Sequence, residues 1–186
     1  YYNRALAYIS KKDYTQARRD LDRVTVIDKK NADAFFNKGN IYFDTAHYEE
    51  ALKNYDKAIE LSPKSQIFIN KANTEVRLNL FQHAVVGYGE AIKLDPHSSK
   101  ALLERALLYL SLGKFELAIR DSSKFIEQKT WKDDGTPYAA YVKIFAAKLG
   151  KQKQIELATL KEMTEHQNQQ GWAYDIIRYL CGKISD

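Results

Sequence analysis

A pattern of aromatic, small and alanine residues returns about every 34 residues along the first 132 positions of this 186-residue chain, and that period limits the possible folds more than any other feature. The clearest copy is Ala32 to Ser65. Phe35, Gly39 and Tyr42 recur at helical spacing, then Ala51, Tyr55 and Ala58 do so again, and Pro63 closes the copy. Two such runs joined by a short turn predict an antiparallel helix pair. Pro63 ends the second helix, having no N–H to donate and a ring that clashes with the preceding turn. The first copy carries Tyr1, Ala5, Tyr8, Ala17, Leu21 and Val24. The third carries Ile69, Asn73, Val76, Ala84, Tyr88, Ala91 and Pro96; it is one residue short, and the spacing puts the loss in the Asn79 turn. The fourth carries Leu102, Ala106, Tyr109, Ala118, Ser122 and Phe125, with Thr130 in place of the terminal proline. The copies span 1–31, 32–65, 66–98 and 99–132, and predict helices near 32–45, 48–61, 66–78, 81–94, 99–111 and 115–128.

These slots resemble the tetratricopeptide repeat (TPR). The resemblance implies an all-α, right-handed superhelix of antiparallel helix pairs. In it Gly39 and Ala51 sit at the helix crossing, and Tyr42 and Tyr55 fill the space between repeats. Tyr1 falls on the fourth slot of its copy, so a stretch upstream is expected, with the compartment left open.

Beyond position 132 the pattern weakens. Lys129 to Thr136 is a polar break, after which Pro137 is expected to open a helix. Tyr138, Tyr141, Val142, Phe145, Ala146 and Leu149 form its apolar set, with Gly150 as C-cap in a turn matching Leu112–Gly113. A second helix from about Gln152 to His166 carries Ile155, Leu157, Ala158 and Leu160. Residues 133–186 thus read as a degenerate fifth pair plus a C-terminal capping helix, in which Trp172, Ile176, Ile177 and Leu180 cover the end of the stack. The stretch Gly171–Asp186 resembles the closing segment of some bacterial TPR proteins, among them outer-membrane lipoproteins that scaffold cell-wall enzymes. Ala173 stands where that group usually has proline.

Little in the composition points to chemistry. Cys181 is alone and reads as a small buried hydrophobe. The four histidines are scattered, so neither metal nor other cofactor is expected, and no catalytic constellation appears. Gly87 and Gly89 flank Tyr88 inside a helix rather than forming a phosphate loop. No apolar run is long enough to span a membrane. The net charge of +5 is mild, and Arg18, Arg19, Arg23, Lys29 and Lys30 are interleaved with Asp20, Asp22 and Asp28. That mixture reads as a solvated face, not a nucleic-acid stripe.

The resemblance implies that the first helices line a concave groove where peptides or partner helices lie. Its candidate residues are Tyr2, Leu6 and Ile9, then Phe36, Asn40 and Phe43, then Asn70, Thr74 and Arg77 beside Ile67, then Lys100, Leu103, Leu107 and Leu110. TPR co-chaperones that hold C-terminal carboxylates use Lys and Asn, then Asn, then Lys and Arg. Asn40, Asn70 and Lys100 fit that series, whereas Phe36 and Glu104 break it, and Glu104 would repel a carboxylate. The groove therefore reads as two apolar banks around a polar middle, suited to an apolar or amphipathic segment. The expected function is a noncatalytic scaffold that captures a protein segment. The alternatives are a self-assembling homo-oligomer or a TPR fragment of a larger protein.

Overall fold

The computed structural model describes residues 1–129 and 135–166. Ten helices follow one another among the described residues, with no strand: α1 (Tyr2–Ser10), α2 (Tyr14–Ile27), α3 (Ala32–Asp44), α4 (Tyr48–Leu61), α5 (Ser65–Arg77), α6 (Phe81–Leu94), α7 (Ser99–Ser111), α8 (Phe115–Gln128), α9 (Gly135–Leu149) and α10 (Lys153–His166). Each odd-numbered helix packs on the even-numbered helix that follows it. The pairs fall into two compact units, Tyr1–Ser98 and Ser99–Asp186. Trp172 and the rest of the expected capping helix lie outside the described residues, as does Cys181.

One turn reverses the chain in all five pairs. Three residues separate the helices, and the middle one is left-handed: Lys12 (φ 59°), Ala46 (59°), Asn79 (59°), Gly113 (69°) and Lys151 (58°). The third residue's N–H reaches back five residues to a helix carbonyl: Asp13 to Tyr8 (2.9 Å), His47 to Tyr42 (2.8 Å), Leu80 to Glu75 (2.8 Å), Lys114 to Tyr109 (2.8 Å) and Gln152 to Ala147 (2.7 Å). This Schellman-type closure satisfies the last carbonyls of the first helix and turns the chain sharply enough to bring the second helix back along it. Only Gly113 is the residue such a position prefers. In the fifth pair the left-handed residue is Lys151, so the match of Leu149–Gly150 to Leu112–Gly113 is out by one residue.

The turns correct the third copy as well. The Asn79 turn has its full three residues. The missing residue is in the connection before it: three residues, Ser62–Lys64, join α4 to α5, whereas four join α2 to α3 and four join α6 to α7. The register along α5 therefore moves by one. Ala72, not Asn73, stands where Gly39 stands, and Glu75, not Val76, where Tyr42 stands.

The core forms where these slots meet. In α3 and α4, Ala51, Tyr55 and Ala58 are buried with Ile67 of the next pair, and Phe35, Phe36, Tyr42, Phe43 and Ile59 pack around them. Gly39 is needed because Tyr55 lies on it: a Cβ there would be 2.5 Å from the ring. Tyr42 faces the preceding pair, its ring 5.8 Å from the Arg18 guanidinium. Helix α9 starts at Gly135, two residues before Pro137, which still lies in the first turn, where no intrahelical N–H bond is lost. Tyr141, Val142 and Ala146 are buried as expected, but Tyr138, Phe145 and Leu149 are exposed, and Thr136, Ala139, Ala140, Ile144 and Ala147 complete the buried set. On α10, Leu157 and Ala158 are exposed, whereas Leu160 is buried with Glu156, Thr159 and Met163. Small alanines let α9 bury more than one stripe, so an apolar count alone selects the wrong face.

A ladder of ion pairs follows the same register. Eight residues before each left-handed turn residue stands a cation: Arg4, Lys38, Lys71 and Arg105 in the first four pairs. Each meets an aspartate, in Arg4–Asp20 (2.7 Å), Lys38–Asp22 (2.7 Å), Lys71–Asp56 (2.6 Å) and Arg105–Asp121 (2.6 Å). The two arginines take the acid eight residues after their own turn. The two lysines reach the acid ten residues after the preceding turn. Asp20, expected on a solvated face, is buried in this ladder, and hydrogen bonds from Arg4 hold its carboxyl below the usual range.

In the third pair Gly87 stands at the in-pair acid position, and Glu75 on the first helix brings a second carboxylate toward Lys71, behind Asp56. A Cβ on Gly87 would lie 3.4 Å from Glu75 Oε2. That oxygen is buried without a hydrogen bond, and Lys71 Nζ is 3.8 Å from its twin. Burial pushes the Glu75 carboxyl up, with Lys71 and His83 opposing. The folded protein therefore holds this proton more tightly than the unfolded chain. Stability contributed by the group is present below the ordinary glutamate pKa of about 4.3 and is lost as pH rises toward the raised folded value. Glu75→Gln should thus be more stable than the parent at neutral pH, by about 1 kcal/mol. The gain should vanish in acid, and urea melts at both pH values check it. A variant equally stabilised at low pH would show that charge is not the cause.

Candidate functional site

Within the first unit α1, α3 and α5 present corresponding residues, and hydrogen bonds join them. Asn37 Nδ2 on α3 donates to the Tyr2 hydroxyl on α1 at 3.0 Å. Asn70 Nδ2 on α5 donates to Asn40 Oδ1 on α3 at 2.8 Å, and Tyr55 Oη donates to the same oxygen at 2.8 Å. Gln66 Nε2 donates to Asn70 Oδ1 at 2.7 Å. Lys64 pairs with Asp33 at 2.8 Å at the start of the two helices. Burial raises the Tyr2 and Tyr55 hydroxyls above their ordinary pKa, so both stay protonated at physiological pH, Tyr2 accepting from Asn37 and Tyr55 donating to Asn40.

Aromatic rings flank this polar chain. Phe36 packs on Tyr55 with centroids 6.1 Å apart, and Phe43 on Tyr48 at 5.8 Å. Tyr2, Ile9, Phe36, Asn40, Phe43 and Asn70 are half-buried, and Leu6 is 39% exposed. Tyr14 donates to Asp44 at 3.0 Å, a bond that raises its own pKa.

Two residues expected to line the groove point elsewhere. Thr74 is fully buried, and its hydroxyl donates to the Asn70 carbonyl at 2.8 Å. Ile67 is buried in the α3–α4 core. The one-residue shift along α5 is the reason: Ile69, Asn73 and Val76 stand where Phe36, Asn40 and Phe43 stand one pair earlier. Of these, Ile69 is buried and Asn73 and Val76 are half-buried. Arg77 is exposed at the end of α5. Lys100, Leu103, Leu107 and Leu110 belong to the second unit, on α7, where Lys100 is exposed and the leucines are half-buried.

Sequence reasoning placed none of Asn37, Gln66 and Asn73 among the groove residues, and gave Asn73 a packing slot instead. One signal could have found the last: Tyr88 donates to Asn73 fifteen residues away, the same spacing as Tyr55 to Asn40. Among the described residues no three His, Cys, Asp or Glu side chains are grouped to hold a metal ion, and no helix is long and apolar enough to cross a membrane.

Three family models of the tetratricopeptide repeat match, over residues 5–45, 32–65 and 69–122. Together they cover more than half of the chain. This chain belongs to the tetratricopeptide repeat family. Solved structures agree on the TPR fold. The protein MamA superposes with a TM-score of 0.78 at 20% identity, over 89% of this chain and 88% of that one. A TPR protein from Parabacteroides merdae gives 0.77 at 20% identity, over 97% and 72%. YrrB, described as a TPR protein with an unusual peptide-binding site, gives 0.74 at 20% identity, over 89% and 84%. At these identities the likeness is one of fold. No curated protein matches the TPR chain in sequence. Membership makes it a protein-interaction scaffold of all-α TPR type.

Proposed function

We propose that the chain is a noncatalytic scaffold that captures an apolar or amphipathic protein segment across α1, α3 and α5 of its first unit. The observation that carries this reading is the joined face itself. Asn37, Asn40 and Asn70 link the three helices by side-chain hydrogen bonds, while Tyr2, Leu6, Ile9, Phe36 and Phe43 leave part of their apolar surface in water. A bound segment would cover that surface and find amide groups for its own polar atoms. The peptide-binding site named for YrrB supports the same direction by analogy of fold.

Leu6 is the best probe, because it is the most exposed of the five and carries the least of the core. The test screens an amphipathic helical peptide library for binders, then measures them by calorimetry. Leu6→Asp should weaken capture by about tenfold or more, since a charge would have to be buried against the segment. Its circular dichroism should match the parent's. Apolar burial should give a negative heat-capacity change and weak salt dependence. Binding that survives Leu6→Asp, or that moderate salt removes, would overturn the apolar reading.

A further inference from the structure

The ion-pair ladder continues into the fifth helix pair, where its acids are gone. Eight residues before the Lys151 turn stands Lys143, the fifth cation of the series. The acid position eight residues after its own turn is Thr159, and that ten residues after the preceding turn is Ser123. Lys143, Ser123 and Thr159 all line one cavity of about 230 Å³ between α8, α9 and α10. So the cavity lies where an aspartate carboxylate would have been. Lys143 is half-buried and makes no ion pair with a described residue. The Thr159 hydroxyl is spent on the Ile155 carbonyl at 2.8 Å.

The remaining walls narrow the ligand. Ile119 and Ile155 give the cavity an apolar side, and Glu162 is the one acid among the described residues that line it. A cation that pairs with no acid among the described residues favours an anion, and charge-assisted hydrogen bonds gain strength away from bulk water. Glu162 disfavours a second negative charge. We propose that this cavity binds a small monocarboxylate bearing a short apolar chain. Its carboxylate would accept from Lys143 Nζ and Ser123 Oγ, in place of the aspartate that each of the other four ladder cations meets. The apolar chain would lie against Ile119 and Ile155. This site is separate from the α1–α3–α5 face, in the other unit, and stands or falls independently of it.

The test titrates isovalerate into the full chain, followed by calorimetry and amide chemical shifts. Saturable millimolar binding is expected, with shifts centred on α8–α10. Lys143→Gln should weaken it by about tenfold, the loss of one charge-assisted contact. Ser123→Asp, which restores the ladder's acid, should abolish binding and raise the melting temperature; it keeps the test decisive if Lys143→Gln folds poorly. Inorganic phosphate and isoamylamine should not bind. The proposal is overturned by the absence of saturable binding, by equal affinity for isoamylamine, or by binding that Ser123→Asp leaves intact.

Discussion

Arg105→Ala is expected to destabilise the second unit by about 3–5 kcal/mol. Asp121 is fully buried, and Arg105 holds it with two bonds, Nε to Oδ2 at 2.6 Å and Nη2 to Oδ1 at 3.0 Å. Among the described residues the other cation near it is Arg120, 3.5 Å away with its side chain 54% exposed. Truncating Arg105 therefore leaves a charge that has lost water and its main partner. Replacing both members by apolar residues of similar volume should recover most of the loss, because the desolvation penalty goes with the pair. Urea unfolding followed by circular dichroism measures the single and double variants. If Arg105→Ala cost no more than an exposed ion pair does, the pair would be ornamental and Arg120 or water would be carrying the charge. The related Arg4–Asp20 pair should matter less, since Arg4 is 55% exposed and water screens it.

Tyr55→Ala should cost the first unit a similar amount, about 3–5 kcal/mol, as a large-to-small change in a packed core. The side chain is 1% exposed. It fills the space that Gly39 leaves open, supports Phe36, and anchors Asn40 through its hydroxyl. Tyr55→Phe separates these roles. It keeps the ring and removes one bond, while Asn40 keeps the bond from Asn70, so its loss should be near 1 kcal/mol. A melt in which Phe cost as much as Ala would put the stability in the hydroxyl rather than the ring.

Much of the fold was legible because TPR slots constrain each other at fixed spacing. The ends of α3 to α8 agree with the sequence expectation to within a residue. The readings that failed share a cause. A one-residue deletion can be placed in any connection that leaves the later pattern aligned. Asn73 and Val76 suited the first-helix slots well enough to hide that Ala72 and Glu75 occupy them. From that single displacement followed the expectation that Thr74 faces outward. The candidate site was legible as residue types on the first helices. Its hydrogen-bond chain through Asn37, Asn40, Asn70 and Tyr55 was not, because partners thirty or more residues apart have no local signature.

The sequence by itself determined the helix pairs and their lengths, through the aromatic–small–alanine period and Pro63. It also determined the tight turns: a short polar break between two strongly amphipathic runs leaves the chain no other economical path. Only the tertiary structure decided where the third copy lost its residue, which face of α9 and α10 is buried, and how each cation chooses its acid. Those outcomes depend on packing between helices, where one residue of shift rotates a side chain by about 100° around the helix axis. The same dependence placed Lys143 beside Ser123 and Thr159, a juxtaposition of three helices that linear spacing alone did not reveal.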